Sequence, residues 1–283
     1  MKILMVINPI SGDEDKDHLI DLVKSKTDKE IDIFKTSGEE DCKKISQQLE
    51  QNDYERILVA GGDGTIKLVA ESMDSHQIPI GIIPLGSANG LATDLNIPLE
   101  EEAYINIALG ENKRTIDAIN INDELCLHIS DLGLNAELIK EYQNGKVRGK
   151  LGYALKTIPT LFKNQGAFNF TIITDEKEIH RYGIMLAIAN SRKFGTGAIV
   201  NKNGKIDDGI FELLIFKSLD VIEILKTLDE EAEISPEFLE IIPSKKVKIK
   251  TVKKIDFQID GEYLESTNEI NAEILPNRLT VFC

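Results

Sequence analysis

The sequence predicts an α/β N-terminal domain, a parallel sheet with helices, followed by a mainly antiparallel β-sandwich C-terminal domain. Three observations predict it. Residues 1–110 alternate short apolar runs with helical patterns, as βαβ units do. Beyond about residue 112–120 strands follow one another in succession, as in an antiparallel sandwich. The length of 283 residues suits two domains, at ~100–200 residues each. The expected division is 1–117 and 118–283, with the last strand free to return to the N-terminal domain.

The elements follow in order. Lys2–Asn8 is apolar but runs at once into Asn8-Pro9 and acidic residues. It has no small-residue cleavage site and reads as a first strand, not a signal peptide. Ile31–Phe34, Arg56–Ala60 and Ile80–Ile83 are the next strands, and 14–25, 39–50, 65–74, 89–95 and 101–109 read as helices. Thr115–Ile121 and Glu124–Ser130 read as strands joined at Asn122-Asp123, followed by a helical stretch at 136–163. Phe168–Thr174 and His180–Ala189 form a hairpin around Asp175-Glu176. Phe211–Phe216, Lys246–Lys250, Lys254–Asp260, Glu269–Leu275 and Leu279–Phe282 complete the strand-rich half.

The net charge of −15 argues against nucleic acid as a partner, which calls for a basic footprint. Residues 1–117 carry 12 basic and 23 acidic side chains, and 118–283 carry 21 and 25. Any approach to an anionic membrane therefore falls to the second half. Lys245–Lys254 holds six lysines, and the alternation in Lys246-Val247-Lys248-Ile249-Lys250 puts lysines on one strand face. That face is either a solvated, lysine-protected edge or a patch for anionic headgroups. Asp229–Glu240 carries six acids and no base. No apolar run reaches the ~18–20 residues of a membrane span. Cys42, Cys126 and Cys283 are isolated, which fits neither a disulfide framework nor a zinc site and points to the cytoplasm. His18, His76, His128 and His180 are scattered.

Gly61-Gly62-Asp63-Gly64-Thr65 carries the strongest chemical signal. It follows an apolar strand and leads into a helix at Ile66, so its glycines allow close approach of a ligand to the backbone. The N–H groups at the helix start suit phosphate oxygens, and Asp63 suits Mg²⁺ or a reacting hydroxyl. Asn8-Pro9-Ile10-Ser11-Gly12 and Pro84-Leu85-Gly86-Ser87-Ala88-Asn89-Gly90 end other strands on the same sheet edge, which makes a nucleotide pocket. Neither a Walker loop nor a dinucleotide fingerprint is present. Asp260-Gly261-Glu262 is either a plain turn or the source of a general base. Asp207-Asp208-Gly209 is either a turn or a turn that holds a hard cation.

Taken in order from Asn8 to Glu262, these motifs resemble the soluble diacylglycerol kinase and sphingosine kinase family of lipid kinases, its bacterial branch above all. Ser130–Ala136, Arg148-Gly149-Lys150-Leu151-Gly152-Tyr153 and Ala189-Asn190 with Gly195-Thr196-Gly197 add to the likeness. The resemblance implies an N-terminal domain like that of phosphofructokinase and NAD kinase, and transfer of a phosphoryl group from ATP to a lipid hydroxyl. It implies that Asn8, Pro9, Ile10, Ser11, Gly12, Thr36, Gly61, Gly62, Asp63, Gly64, Thr65, Ser87 and Asn89 bind ATP, with Asp63 working through Mg²⁺. Glu262 with Asp260 would be the base, and Asp208 with backbone oxygens of Lys205 and Ile210 would hold a structural Mg²⁺. The partner would be a lipid at a membrane surface, met peripherally, and an exposed sheet edge leaves a homodimer open.

Three positions depart from the family pattern. Lys67 and Leu68 stand where Asn and Glu are usual, and Gly90 stands where Asp is common. Lys67 can offer charge to phosphate, and Glu71 or Asp94 can replace a lost carboxylate. The acid expected to clamp a sphingoid amine has no match, since Glu137 is only near and Ile139 occupies the place. A soluble-substrate kinase of the NAD kinase type, and a nucleotide- or lipid-binding protein without turnover, are the competing readings.

Overall fold

A computed structural model of the protein describes residues 2–73, 77–133, 136, 166–194 and 198–283. The helical stretch expected at 136–163, the Arg148–Tyr153 motif, Glu137, Ile139, His76 and Gly195–Gly197 lie outside the described residues, apart from Ala136. The chain forms two compact units, 1–117 with 277–283, and 118–276.

The first unit is a parallel α/β layer. Strands β1 (Lys2–Ile7), β2 (Ile31–Lys35), β3 (Tyr54–Gly61) and β4 (Ile80–Pro84) alternate with helices α1 (Lys16–Ser25), α2 (Asp41–Gln51), α3 (Asp63–Ser72), α4 (Gly90–Asp94) and α5 (Glu101–Ala108). The strand order is β2-β1-β3-β4, every pairing parallel. β1 from Ile3, β3 from Ile57 and all of β4 are apolar runs because both faces are covered. The helices turn apolar stripes inward: Leu19, Ile20 and Val23 on α1, Ile45 and Leu49 on α2, Ile66, Val69 and Ala70 on α3. The end of the last strand joins the same sheet, with Val281 beside Ile80. Asp117 accepts the Asn277 N–H at 2.7 Å where the chain re-enters this unit.

The order places a topological switch between β1 and β3. β1 is followed by a neighbour on one side, and β3 lies on the other. In open α/β sheets the crevice outside the carboxyl ends of such strands is the binding place.

The second unit is antiparallel. Its strands are the end of β5 (Lys113–Ile121), β6 (Glu124–Cys126), β7 (Ile129–Gly133), β8 (Phe168–Ile173), β9 (Glu178–Gly183), β10 (Met185–Ala189), the short β11 (Lys193–Phe194) and β12 (Ala198–Ile199), β13 (Phe211–Phe216), β14 (Leu239–Ser244), β15 (Lys246–Ile259) and most of β16 (Glu262–Phe282), with helix α6 (Val221–Lys226). Among the described residues two apolar clusters form its core. Phe170, Phe211, Phe257 and Ile270 belong to the larger, and Met185, Leu214, Phe216 and Phe238 to the smaller. β15 turns a corner between layers: Lys248–Thr251 pairs with β8, and Phe257–Ile259 pairs with β7.

Several boundaries differ from the sequence reading. Glu124–Ser130 is two strands because the N–H groups of Leu127, His128 and Ile129 all turn to the Asp260 carboxylate. His180–Ala189 divides at Ile184, which donates its N–H to the Phe216 carbonyl. The two lysine-rich runs join in β15, and Glu269–Leu275 and Leu279–Phe282 join in β16. β14 and the six-residue α6 are absent from the sequence reading, β14 being defined by its pairing with β13. Helix α3 begins at Asp63, not Ile66, because Thr65 and Ile66 already donate to the Gly62 carbonyl.

Candidate functional site

In the first unit the sheet edge gathers three loops. The loop after β1 is held by Asn8, whose carboxamide oxygen accepts the Ile10 N–H at 3.1 Å. The Asn8 amide reaches Thr65 Oγ1 at 3.4 Å, which ties the first loop to the second. Gly12 has φ +67°, and a Cβ there would lie 2.8 Å from the Leu85 carbonyl oxygen of the third loop. A Cβ on Gly86 would lie 2.5 Å from Gly62 Cα, so only bare backbone lets the second and third loops touch. Thr36 donates its N–H to the Ile7 carbonyl at 2.9 Å and so lies beside the end of β1.

Asp63 has an unexpected place. Its carboxylate accepts the N–H groups of Gly90 at 2.9 Å and Leu91 at 3.0 Å, the first two residues of α4. The negative charge sits against a helix start, where it is favoured. A carboxylate offers about four lone-pair sites, so this use leaves Asp63 room for a cation. Helix α3 itself has no side-chain cap at Gly62, and its first N–H groups suit an anion.

The remaining expected residues divide in two. Pro9 and Ile10 are exposed, Ile10 at 89%, and Ser87 is exposed on the third loop. Ser11 donates its N–H to the Asn8 carbonyl. Asn89 is buried and braces its own loop: its oxygen accepts the Gly86 N–H at 2.8 Å, and its amide donates to the Gly86 carbonyl at 2.8 Å. It holds the loop's shape through a positive φ of 50°. Gly61 and Gly64 complete the turn, where a Cβ on Gly61 would meet the Thr65 hydroxyl.

Asp41 escaped the sequence reading. Asp41 is buried and accepts the N–H groups of Ser37 and Gly38 and the Ser37 hydroxyl. Burial pushes its carboxyl up, but these donors outweigh it and hold it below 3.8. The spacing Ser37-Gly38-x-x-Asp41, an acid three residues past a turn glycine, was the available signal. Of the departures, Lys67 is buried with its ammonium 3.8 Å from Glu71 Oε1, and Gly90 supplies an N–H in place of a carboxylate.

In the second unit, Asp260-Gly261 is the two-residue turn of the β15–β16 hairpin, with both φ values positive at 48° and 86°. The Asp260 carboxylate accepts N–H groups from Leu127, His128 and Ile129 at 2.8, 2.9 and 3.0 Å. Burial pushes this carboxyl up, against the pull of those donors. The Glu262 carboxylate, two residues on, is exposed and has no hydrogen-bond partner among the described residues, although its main chain pairs with Ile259. The pair thus splits into one carboxylate fully used by the fold and one available. Lys205, Asp208 and Ile210 lie on a single turn, where Asp208 accepts the Ile210 N–H at 3.3 Å and Gly209 has φ +75°. Among the described residues no three His, Cys, Asp or Glu side chains cluster to hold a metal. A cation on this turn would therefore take backbone oxygens beside Asp208. The three cysteines are free thiols.

Residues 2–121 match the diacylglycerol kinase catalytic domain family, and residues 130–283 match the YegS C-terminal NAD kinase beta sandwich-like domain. A Staphylococcus aureus (strain MRSA252) protein named "Putative lipid kinase" is 30% identical over 264 residues, covering 89% of this chain and 86% of its own. The strain JH9 counterpart, of the same name, matches equally. Two solved structures from Bacillus anthracis, each described as "a putative diacylglycerol kinase", share the fold with TM-scores of 0.80 and 0.78, each at 23% identity over 99% of this chain and 96% of the other. With both halves matched in order, the chain belongs to the diacylglycerol kinase catalytic-domain family, in the form that carries the YegS-type C-terminal domain.

Proposed function

We propose that the protein is a lipid kinase that transfers the γ-phosphoryl group of Mg·ATP to the hydroxyl of diacylglycerol or a related lipid. One observation carries this reading: three glycine-bearing loops meet at the carboxyl ends of β1, β3 and β4, with Gly62 against Gly86 beside an uncapped helix start. That arrangement suits phosphates held by backbone N–H groups. Asn8–Gly12, Thr36, Gly62–Thr65 and Ser87 would contact ATP. Asp63 retains lone pairs for Mg²⁺, and when bound the ion neutralises developing phosphate charge. Glu262 takes the proton of the attacking hydroxyl as that oxygen bonds to the γ-phosphorus and the bond to the β-phosphate oxygen breaks. The setting is cytoplasmic, with lipid met at the membrane surface. No helix among the described residues is long and apolar enough to cross a membrane.

A second reading draws on Asp63. Both of its oxygens already accept N–H groups, and Gly90 adds no carboxylate. That favours a nucleotide-binding relative without turnover.

The test is transfer of labelled γ-phosphate from Mg·ATP into a mixed lipid extract, products identified by mass. A phospholipid product that falls at least ~100-fold in Glu262→Gln supports the kinase reading and the base. Near-normal turnover in that variant removes Glu262 from the role. ATP binding without product, in lipid or in soluble hydroxyl compounds, favours the second reading.

A further inference from the structure

One apolar side chain of the second unit stands where packing gives it nothing. Between Lys250 and Ile255 the pairing of β15 with β16 slips: Lys250 faces Glu269, and Ile255 faces Thr267. Thr251–Lys254 therefore spans what Asn268 alone spans on the partner strand. The excess chain bulges out of the sheet. Val252 stands on that bulge, 90% exposed, beside exposed Lys253 and Lys254. The bulge is anchored, since Thr251 pairs with Phe170 of β8 and its hydroxyl donates to the Lys253 carbonyl at 2.6 Å.

A hollow of about 210 Å³ adjoins it, lined by Thr171, His180, Arg181, Lys250 and Val252 among others. Arg181 there is paired with Glu240 at 2.8 Å, and Lys250 lies 3.8 Å from Glu269. Charge along β15 is unequal. Lys246 and Lys248 are neutralised by Glu273 and Glu269 at 2.9 and 2.6 Å. Lys253 and Lys254 have no acidic partner among the described residues. The lysine strand thus has a neutral start and a cationic, apolar-tipped bulge, on a chain of net charge −15.

We propose that the Thr251–Lys254 bulge is the point where this protein touches an anionic bilayer. The proposal rests on the lipid-kinase reading for its purpose and narrows the contact from the whole lysine strand to this bulge. Val252 enters the acyl boundary, and Lys253 and Lys254 meet headgroup phosphates, with Lys250 beside them at the hollow. A lysine close to such a surface tightens binding about fivefold. The attraction reaches only a Debye length, ~8–10 Å, so the charges on the bulge itself weigh more in this contact than the net charge of the chain. One valine is far too small for a protein interface, which needs about 800 Å² per partner, but it suits insertion between lipids.

The experiment is co-sedimentation of the full chain with phosphatidylglycerol–phosphatidylcholine vesicles and with pure phosphatidylcholine vesicles. Lys253→Gln with Lys254→Gln should weaken binding to the anionic vesicles about twenty-five-fold. Val252→Asp should weaken it about tenfold. Lys246→Gln with Lys248→Gln should change it less than about twofold, those lysines being paired. An equal loss in the Lys246/Lys248 variant, no loss in Val252→Asp, or equal binding of wild type to both vesicles would overturn the proposal. Phosphoryl transfer by wild type to a short-chain acceptor dissolved as monomers is read separately. Its absence counts against the kinase reading and leaves the vesicle result standing.

Discussion

Asp63 in the first unit and Asp260 in the second make an instructive pair. Each adjoins a glycine in a tight turn, and each carboxylate accepts main-chain N–H groups from a distant stretch of chain. Asp63 meets two donors at a helix start and keeps spare acceptor capacity. Asp260 meets three donors in a buried strand break, and its neighbour Glu262 is left exposed. The same residue type in the same kind of turn becomes a candidate ligand in one place and a structural clamp in the other. What separates them is the number of donors and the degree of enclosure, neither of which a motif records.

Asp260→Ala is the strongest way to break this comparison. It strands three backbone donors in a buried position and should cost about 3–5 kcal/mol of unfolding free energy, read by urea denaturation. A loss under about 1 kcal/mol would make Asp260 dispensable to the fold and reopen it as a chemical group.

Gly86→Ala probes the other side. The new Cβ has no room against Gly62 Cα and Asn89 Oδ1, so backbone must shift at a cost of about 1–3 kcal/mol. ATP affinity, measured by calorimetry, should fall about tenfold or more if the loops act together. Unchanged affinity would detach the third loop from the nucleotide site.

Asp41→Asn should have a smaller effect, about 1 kcal/mol at neutral pH, because one carboxylate serves the Ser37 and Gly38 donors. Its folded carboxyl is held below 3.8, so the stabilisation is present above that value and is lost as pH falls through the folded one. The gap between wild type and variant should therefore close in acid. A gap that instead widened below pH 3.8 would contradict the lowered carboxyl.

Lys246→Gln sits at the bottom of the scale. Its pairing with Glu273 is on an exposed strand face, and thermal unfolding should be unchanged within error.

The turns show how far local chemistry reads directly. Asn122-Asp123 and Asp260-Gly261 were legible as turns because few residues tolerate positive φ, and both connect adjacent strand ends. The alternation from Lys246 to Lys250 was legible too, with Val247 and Ile249 buried at 3% and 1%. The break at Leu127-His128 was not legible, since its cause lies more than 130 residues away in Asp260. β14 was hidden because its pairing with β13, not its own composition, makes it a strand.

By itself, then, the sequence determined the alternation of strands and helices in the first unit, the antiparallel character of the second, and the three glycine-bearing loops. Those follow from periodicity and from backbone angles that neighbouring residues set. Only the tertiary structure decided that the switch in strand order falls between β1 and β3, that Asp63 reaches α4, and that Asp260 is enclosed while Glu262 is free. Strand order, burial and long-range donors depend on which distant segments meet, and no local pattern carries that information.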